Sequence, residues 1–400
     1  MMKKRVLIAV LLLFLLTLTF SGCARNEARA EYYNRPDGCQ IGETIILNAP
    51  SHIQNVYHAG FERVAGLCRD PLCQHDGRNG PCPESATLGL PRTFCTDGET
   101  LYMKVFALER DHPMLYRIYA VDPFGVEPMR LVCTTENTGN FAPFQICADG
   151  EYLYYANSHY REDADRNAEF MALSDQYLEI MRIQKNSGKS ERVFDMLPVG
   201  TGFAVDRERY YLFHAGEGMD GACEIIPKDG GESITVSADG VRLGSLLYSE
   251  NGCVVLLGAE EPVSATVTET QHFDRMALVE IRDGRAQILA EHVNAYSPIF
   301  PYDGKLWFAP FYIEFIETAA APTGSGNETV MTDIYALGDD TRYSLDPETG
   351  ETRRFRCEGD GMLIGFSDGI AIGQSGTSDH YEMTRLTLTE VSEEEKGEQP

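Results

Sequence analysis

Four residues near the start of the chain have the types and spacing for metal or thiol chemistry. They run Cys68-x4-Cys73-x-His75-x6-Cys82, inside "LCRDPLCQHDGRNGPCP". Three soft thiolates and one imidazole within so short a stretch satisfy the tetrahedral preference of Zn²⁺. Pro71, Gly77, Gly80, Pro81 and Pro83 suit a compact loop wrapped around such a centre. A disulfide, Cys73–Cys82 or Cys68–Cys82, which an oxidising compartment would preserve, and free thiols are the alternatives. No Cys-x-x-Cys pair is present for thiol exchange, and no Cys-x-x-Cys-His for haem attachment. In all three states the group is expected to stiffen a loop and to leave catalysis to other residues.

Other reactive constellations are sparse. No His-Glu-x-x-His or phosphate loop occurs, and no catalytic residue is assigned. "DADRN" at Asp163–Asn167 starts like a Ca²⁺ loop, but Ala168 stands where glycine is required and Ser174 where glutamate is required. His159, His214 and His272 fall in or beside long polar connections and are candidates to line a site. The binding residues themselves are not specified by any motif.

The N-terminus indicates where this chemistry would take place. Lys3, Lys4 and Arg5 precede an apolar run that ends in "FSGC", with Cys23 after the small pair. That order is an export signal, residues 1–22, followed by a lipid-acceptor cysteine. Cys23 and a short linker, residues 23–30, would then tether the protein to the outer face of a membrane through acyl chains. The chain carries 61 acidic against 34 basic residues, a net charge of −27. Nucleic acid is excluded as a partner, since phosphate backbones require a positive surface. A glycan, peptide or protein ligand remains. The tail, residues 392–400, is charged, poor in apolar residues and read as disordered.

Between these ends the chain repeats. "CTDGETLYMKV", "CADGEYLYYAN", "VDRERYYLFHA", "SENGCVVLLGA", "YDGKLWFAPF" and "FSDGIAIGQ" each place a turn before an alternating or aromatic run. Asp-Gly and Asn-Gly supply the positive φ of tight hairpins, and Tyr, Val, Leu and Ile form strands. A second strand–turn–strand phrase follows each time, as in "LEIMRIQKNSGKSERVF". Cys39, Cys95 and Cys147 stand three before Gly42, Gly98 and Gly150, which brings the N-terminal part into phase and suggests small residues packed on inner strands. The pattern predicts an all-β fold, a single β-propeller of four-stranded blades over residues 31–391. Seven blades are favoured, with six and eight open. The last copy lacks an outer strand, and residues 31–34 are expected to supply it and close the ring. One stretch, Asp163–Tyr177, has helical spacing through Phe170, Leu173 and Tyr177.

If the strands are lettered A to D from the axis outward, the A–B and C–D turns share one face of the disc. The B–C and D–A connections share the other. The long insertions 107–113, 158–176, 260–274 and 313–332 and the Cys-His module, residues 67–83, all fall on that second face, where binding loops belong.

The "LYY" phrase, the "LYRI" phrase at Leu115, the cysteine at 23 and the Cys68, Cys73, His75, Cys82, Pro83 segment together resemble a group of surface lipoproteins of Gram-positive gut bacteria. The repeat phrase is also similar to the YWTD-type propellers of lipoprotein receptors and to TolB-like propellers, with "DGKLWF" at Asp303 the nearest copy. YWTD-type rings have six blades, one fewer than counted here. The resemblance implies a propeller outside the membrane and names no substrate. It leaves two readings: a binding or scaffold propeller using its long-loop face, and a hydrolase or lyase of surface polysaccharide or peptide with acidic residues at the channel mouth.

Overall fold

In the computed structural model the described residues are 32–33, 38–41, 43–47, 55–58, 63–66, 92–109, 112–122, 127, 129–139, 145–163, 175–214, 221–250, 253–260, 263–264, 272–273, 275–294, 297–310, 314–316, 333–335, 340–377 and 380–391. Cys23, the Cys-His module, residues 164–174 and the tail lie outside them. The described residues contain no α-helix.

The strands group into seven blades in chain order: residues 38–66, 92–136, 146–198, 202–236, 241–294, 300–358 and 362–390. Blades one to six each have four antiparallel strands, A to D, and blade seven has three. Blade three shows why the sequence folds this way. Strand B, Tyr152–Tyr160, is buried along most of its length on both sides, because each blade is sandwiched between two others. Strand D, Ser190–Pro198, lies at the rim, is exposed along most of its length and reads "SERVFDMLP". Strand A, Ile146–Ala148, is fully buried. Stacking such slabs covers apolar faces that no single slab covers alone. Cys95 and Cys147 occupy matching inner-strand positions, are 1% and 0% exposed, and are free thiols. Cys223 and Cys357 are also buried free thiols.

Three expectations need correction. First, the missing outer strand of blade seven is not supplied by the N-terminus. Strand His380–Glu390 pairs instead with Thr352–Glu358, the outer strand of blade six, with Cys357 opposite Leu388. The link between these blades is short enough for this because Gly359 and Gly361 take φ of 130° and 114°. A Cβ on Gly361 would stand 2.7 Å from the Gln374 carbonyl group, so only glycine fits. Tyr32–Tyr33 pairs with the axial edge of Val241–Glu250, strand A of blade five. Blade seven meets blade one through side chains: Ser367 Oγ donates to the Glu43 carbonyl at 2.7 Å, and Ile45 packs on Ile364 and Ile372.

Second, the Asp-containing turns are of two kinds. Asp303–Gly304 and Asp368–Gly369 both have positive φ at both residues, the two-residue hairpin expected. In blades two to four the aspartate acts through its side chain instead. Asp149 Oδ1 accepts from the backbone N–H groups of Glu151 and Tyr152 at 2.8 and 2.6 Å, and Asp97 and Asp206 do the same two and three residues on. This is an Asx turn, which tolerates Arg207 where the other copies have glycine.

Third, Tyr177 belongs to strand Gln176–Gln184, not to a helix. Likewise 107–109 and 112–113 extend strands Leu101–Glu109 and His112–Val121, which leaves only residues 110–111 as the connection.

Candidate functional site

Strand ends fix where each connection emerges. The A–B connections are all short, and the C–D connections span at most the residues between Val121 and Arg130 in blade two. The B–C connections include residues 161–175, 215–221, 261–274 and 309–340, and the D–A connection from blade one to blade two runs from 67 to 91. Antiparallel alternation puts all of these on one face, as the spacing of the repeat requires. Two of them carry small hairpins of their own: Val263–Ser264 with His272–Phe273, and Glu314–Ile316 with Asp333–Tyr335.

At the base of these loops three successive blades carry a histidine paired with a glutamate. In blade three His159 Nε2 lies 3.3 Å from Glu179 Oε2. In blade four His214 Nε2 lies 3.3 Å from Glu224 Oε2. In both, the histidine sits near the end of strand B and the glutamate two positions diagonally across on strand C. In blade five the order is reversed. Glu260 ends strand B, and its carboxylate accepts from the His292 backbone N–H at 2.7 Å and lies 2.9 Å from His292 Nδ1. His292 adopts a φ of 58°, a left-handed conformation uncommon for a non-glycine residue, held by these two contacts. Glu179 also meets Arg192 at 3.3 Å, and His159 lies 3.1 Å from Thr138 Oγ1. His159 and His214 therefore stand where the sequence suggested, and His292 and the three glutamates join them. His272 falls in a described strand, and its side chain is not described.

Beneath this rim, between blades two and three, lies Lys104. It is fully buried and donates to the Ala156 carbonyl at 3.0 Å, with its ammonium 4.8 Å from the centre of the Tyr116 ring. Burial lowers its pKa to about 7. Tyr116 and Cys133 on the same face of blade two are both pushed up to about 12, again chiefly by burial. Nothing in the spacing of "LYMKVF" marks this lysine as internal.

The opposite face uses its charges differently. Asp149 Oδ2 accepts from Tyr154 Oη at 2.7 Å and from Lys228 Nζ of the next blade at 2.6 Å. Lys228 also donates to the Asp206 carbonyl at 2.6 Å and to Tyr154 Oη at 3.1 Å. One blade earlier, Asp97 Oδ2 accepts from Tyr102 Oη at 3.1 Å and from Lys185 Nζ at 2.6 Å, and Lys185 also reaches the Asp149 carbonyl. Burial opposes ionisation of both aspartates, yet the adjacent lysines hold both carboxyls below the usual range. At the next boundary the corresponding position, directly after strand C, is Asp283. There Asp206 Oδ2 accepts from Tyr211 Oη at 2.6 Å and from Ser249 Oγ at 3.3 Å. Among the described residues, the tight-turn face is thus stitched from blade to blade, and the loop face carries its ionisable pairs within single blades.

No known protein family matches the chain, and no curated protein matches it. Among solved structures it is similar to oligogalacturonate lyase from Vibrio parahaemolyticus, at 9% identity and a TM-score of 0.49, over 92% of this chain and 93% of that one. It is also similar to acylaminoacyl peptidase from Pyrococcus horikoshii, at 12% identity and a TM-score of 0.48, over 90% of this chain and 52% of that one. TolB from Acinetobacter baumannii follows at 12% identity and a TM-score of 0.39, over 67% of this chain and 60% of that one. The chain spans about half the length of the peptidase. The class that the strand order defines is a β-propeller, and it rests on the topology described above.

Proposed function

We propose that the protein is a binding propeller, tethered outside a membrane through a lipid on Cys23, that takes a glycan, peptide or protein on its loop face. The observation that carries this reading is that every long connection leaves the blades at the same end of the disc. Long loops on a rigid scaffold are where binding groups concentrate. The acidity of the chain speaks against nucleic acid on that surface. The segment holding Cys68, Cys73, His75 and Cys82 joins blade one to blade two on this same face, where bound zinc, or a disulfide, would stiffen a loop next to the ligand.

The test is to display residues 24–400 against arrays of bacterial glycans and of peptides, beside a variant with 164–174 and 321–330 replaced by short Gly-Ser linkers. The reading requires array binding that the variant loses while keeping its melting temperature. Equal binding by both proteins would overturn it. For the Cys-His module, metal content by mass spectrometry separates the alternatives. About one zinc per chain, lost in Cys73→Ser and His75→Ala, supports a metal centre. Absence of metal, with thiols that react only after reduction, supports a disulfide.

A hydrolase or lyase acting on surface polysaccharide or peptide is the second reading. The three His–Glu pairs favour it, because an imidazole beside a carboxylate is an acid–base unit. Its test is turnover of array-positive ligands, abolished in Glu179→Gln or Glu260→Gln.

A further inference from the structure

The described N-terminal strand lies in the central channel. Tyr32 is opposite Ser249 and Tyr33 opposite Tyr248, on the axial edge of the innermost strand of blade five. The same strand also comes within 8 Å, Cα to Cα, of Arg92–Thr96, the innermost strand of blade two. Blades two and five are separated by blades three and four on one side and by six, seven and one on the other. A strand that pairs with one inner strand and lies this near the other stands between them, on the axis. The next described strand, Gly38–Ile41, is the innermost strand of blade one. The chain therefore crosses from blade five to blade one in the five steps from Tyr33 to Gly38, a reach of at most about 18 Å.

Direction follows from the pairing. Val241–Glu250 runs from the loop face to the tight-turn face, and Ser249 is next to its last residue. The pairing is antiparallel, so Tyr32 lies nearer the tight-turn face than Tyr33. The N-terminal end of the strand Tyr32–Tyr33 therefore faces the tight-turn side.

We infer that the strand Tyr32–Tyr33 is an axial plug at the tight-turn end of the channel, and that its direction aims the tether and the loop face in opposite directions. The second half rests on the proposed lipid at Cys23. The eight residues 24–31 between that cysteine and the plug reach at most about 29 Å. The membrane then lies below the tight-turn face, and the loop face is presented outward to macromolecules of the surroundings. A ligand enters the channel only from the loop side.

Two experiments test the two halves separately. Tyr33→p-benzoylphenylalanine in soluble residues 24–400 is irradiated and the crosslinked peptides are mapped. Crosslinks to 241–250 or 92–96 are expected. Crosslinks to 380–390, or loss of any internal crosslink in a protein that melts as the parent does, overturn the plug. For orientation, the lipidated chain is reconstituted in phosphatidylcholine vesicles with a nitroxide-headgroup lipid, with a dye at residue 232 on a C–D turn or at residue 325 in a B–C connection. Quenching at 232 and none at 325 is expected. Quenching at 325 and none at 232 overturns the orientation with anchoring intact. A chain that does not float with vesicles overturns the anchoring reading and the orientation with it, and leaves the crosslink to decide the plug.

Discussion

The two faces of the disc spend their charged residues on different tasks. On the tight-turn face, Asp97 with Lys185 and Asp149 with Lys228 join one blade to the next, and all four side chains are largely buried. On the loop face, His159 with Glu179 and His214 with Glu224 stay within one blade and are partly open to solvent. A clasp between blades fixes the ring and cannot move without loosening it. A pair within a blade can be rebuilt or recruited by a ligand at little structural cost. The difference places the ties between blades on one face, and leaves the other to the recognition proposed above.

The largest effect is expected from breaking a clasp. Lys228→Met leaves the Asp149 carboxylate buried without its cation and costs about 3–5 kcal/mol in urea unfolding. Adding Asp149→Asn should recover part of that loss, because the stranded charge is gone. Additive losses in the double variant would show that the pair does not act as a unit.

Next in size is the glycine link between blades six and seven. Gly361→Ala meets backbone at 2.7 Å and a positive φ, and should cost about 1–3 kcal/mol, read as a lower melting temperature. Gly230→Ala, in open space at φ 85°, should cost less, which separates the clash from the backbone strain.

A pH series sharpens the contrast further. Asp97 and Asp149 have folded pKa values below their unfolded ones, so their contribution is complete above an unfolded value of about 3.9 and is lost as pH falls below it. Lys104 works in the opposite range. Its folded pKa is about 7 and its unfolded value about 10.4, so between these the unfolded chain binds the extra proton and stability rises with pH. Lys104→Met should flatten that alkaline rise and leave the acid limb in place. Asp149→Asn should do the reverse.

The smallest stability effects belong to the loop face. His159→Ala and His214→Ala remove partly exposed pairs and should each change stability by about 0.5 kcal/mol or less.

The repeat was legible because turn residues and strand formers recur in register, and that alone gives seven blades and the side from which long loops emerge. The clasps were legible in principle. Tyr102, Tyr154 and Tyr211 each stand five after an aspartate, and Lys185 and Lys228 share the position directly after strand C. What hid them is that they act between copies, whereas stacking the copies compares like with like. The outer closure was not legible. "CEGDGML" reads as an ordinary loop, and only the positive φ of Gly359 and Gly361 lets two adjacent blades share an edge. Nor was the N-terminal strand, since two tyrosines fit the rim or the axis equally well by composition.

The most direct test of the division between faces is the affinity of residues 24–400 for an array-positive glycan or peptide, compared between two double variants. His159→Ala with His214→Ala alters the loop face, and Glu99→Gln with Glu208→Gln alters exposed carboxylates of the tight-turn face. The account predicts that the first loses about tenfold or more in affinity, about 1.4 kcal/mol, and that the second binds as the parent does. Loss confined to the second pair would contradict it.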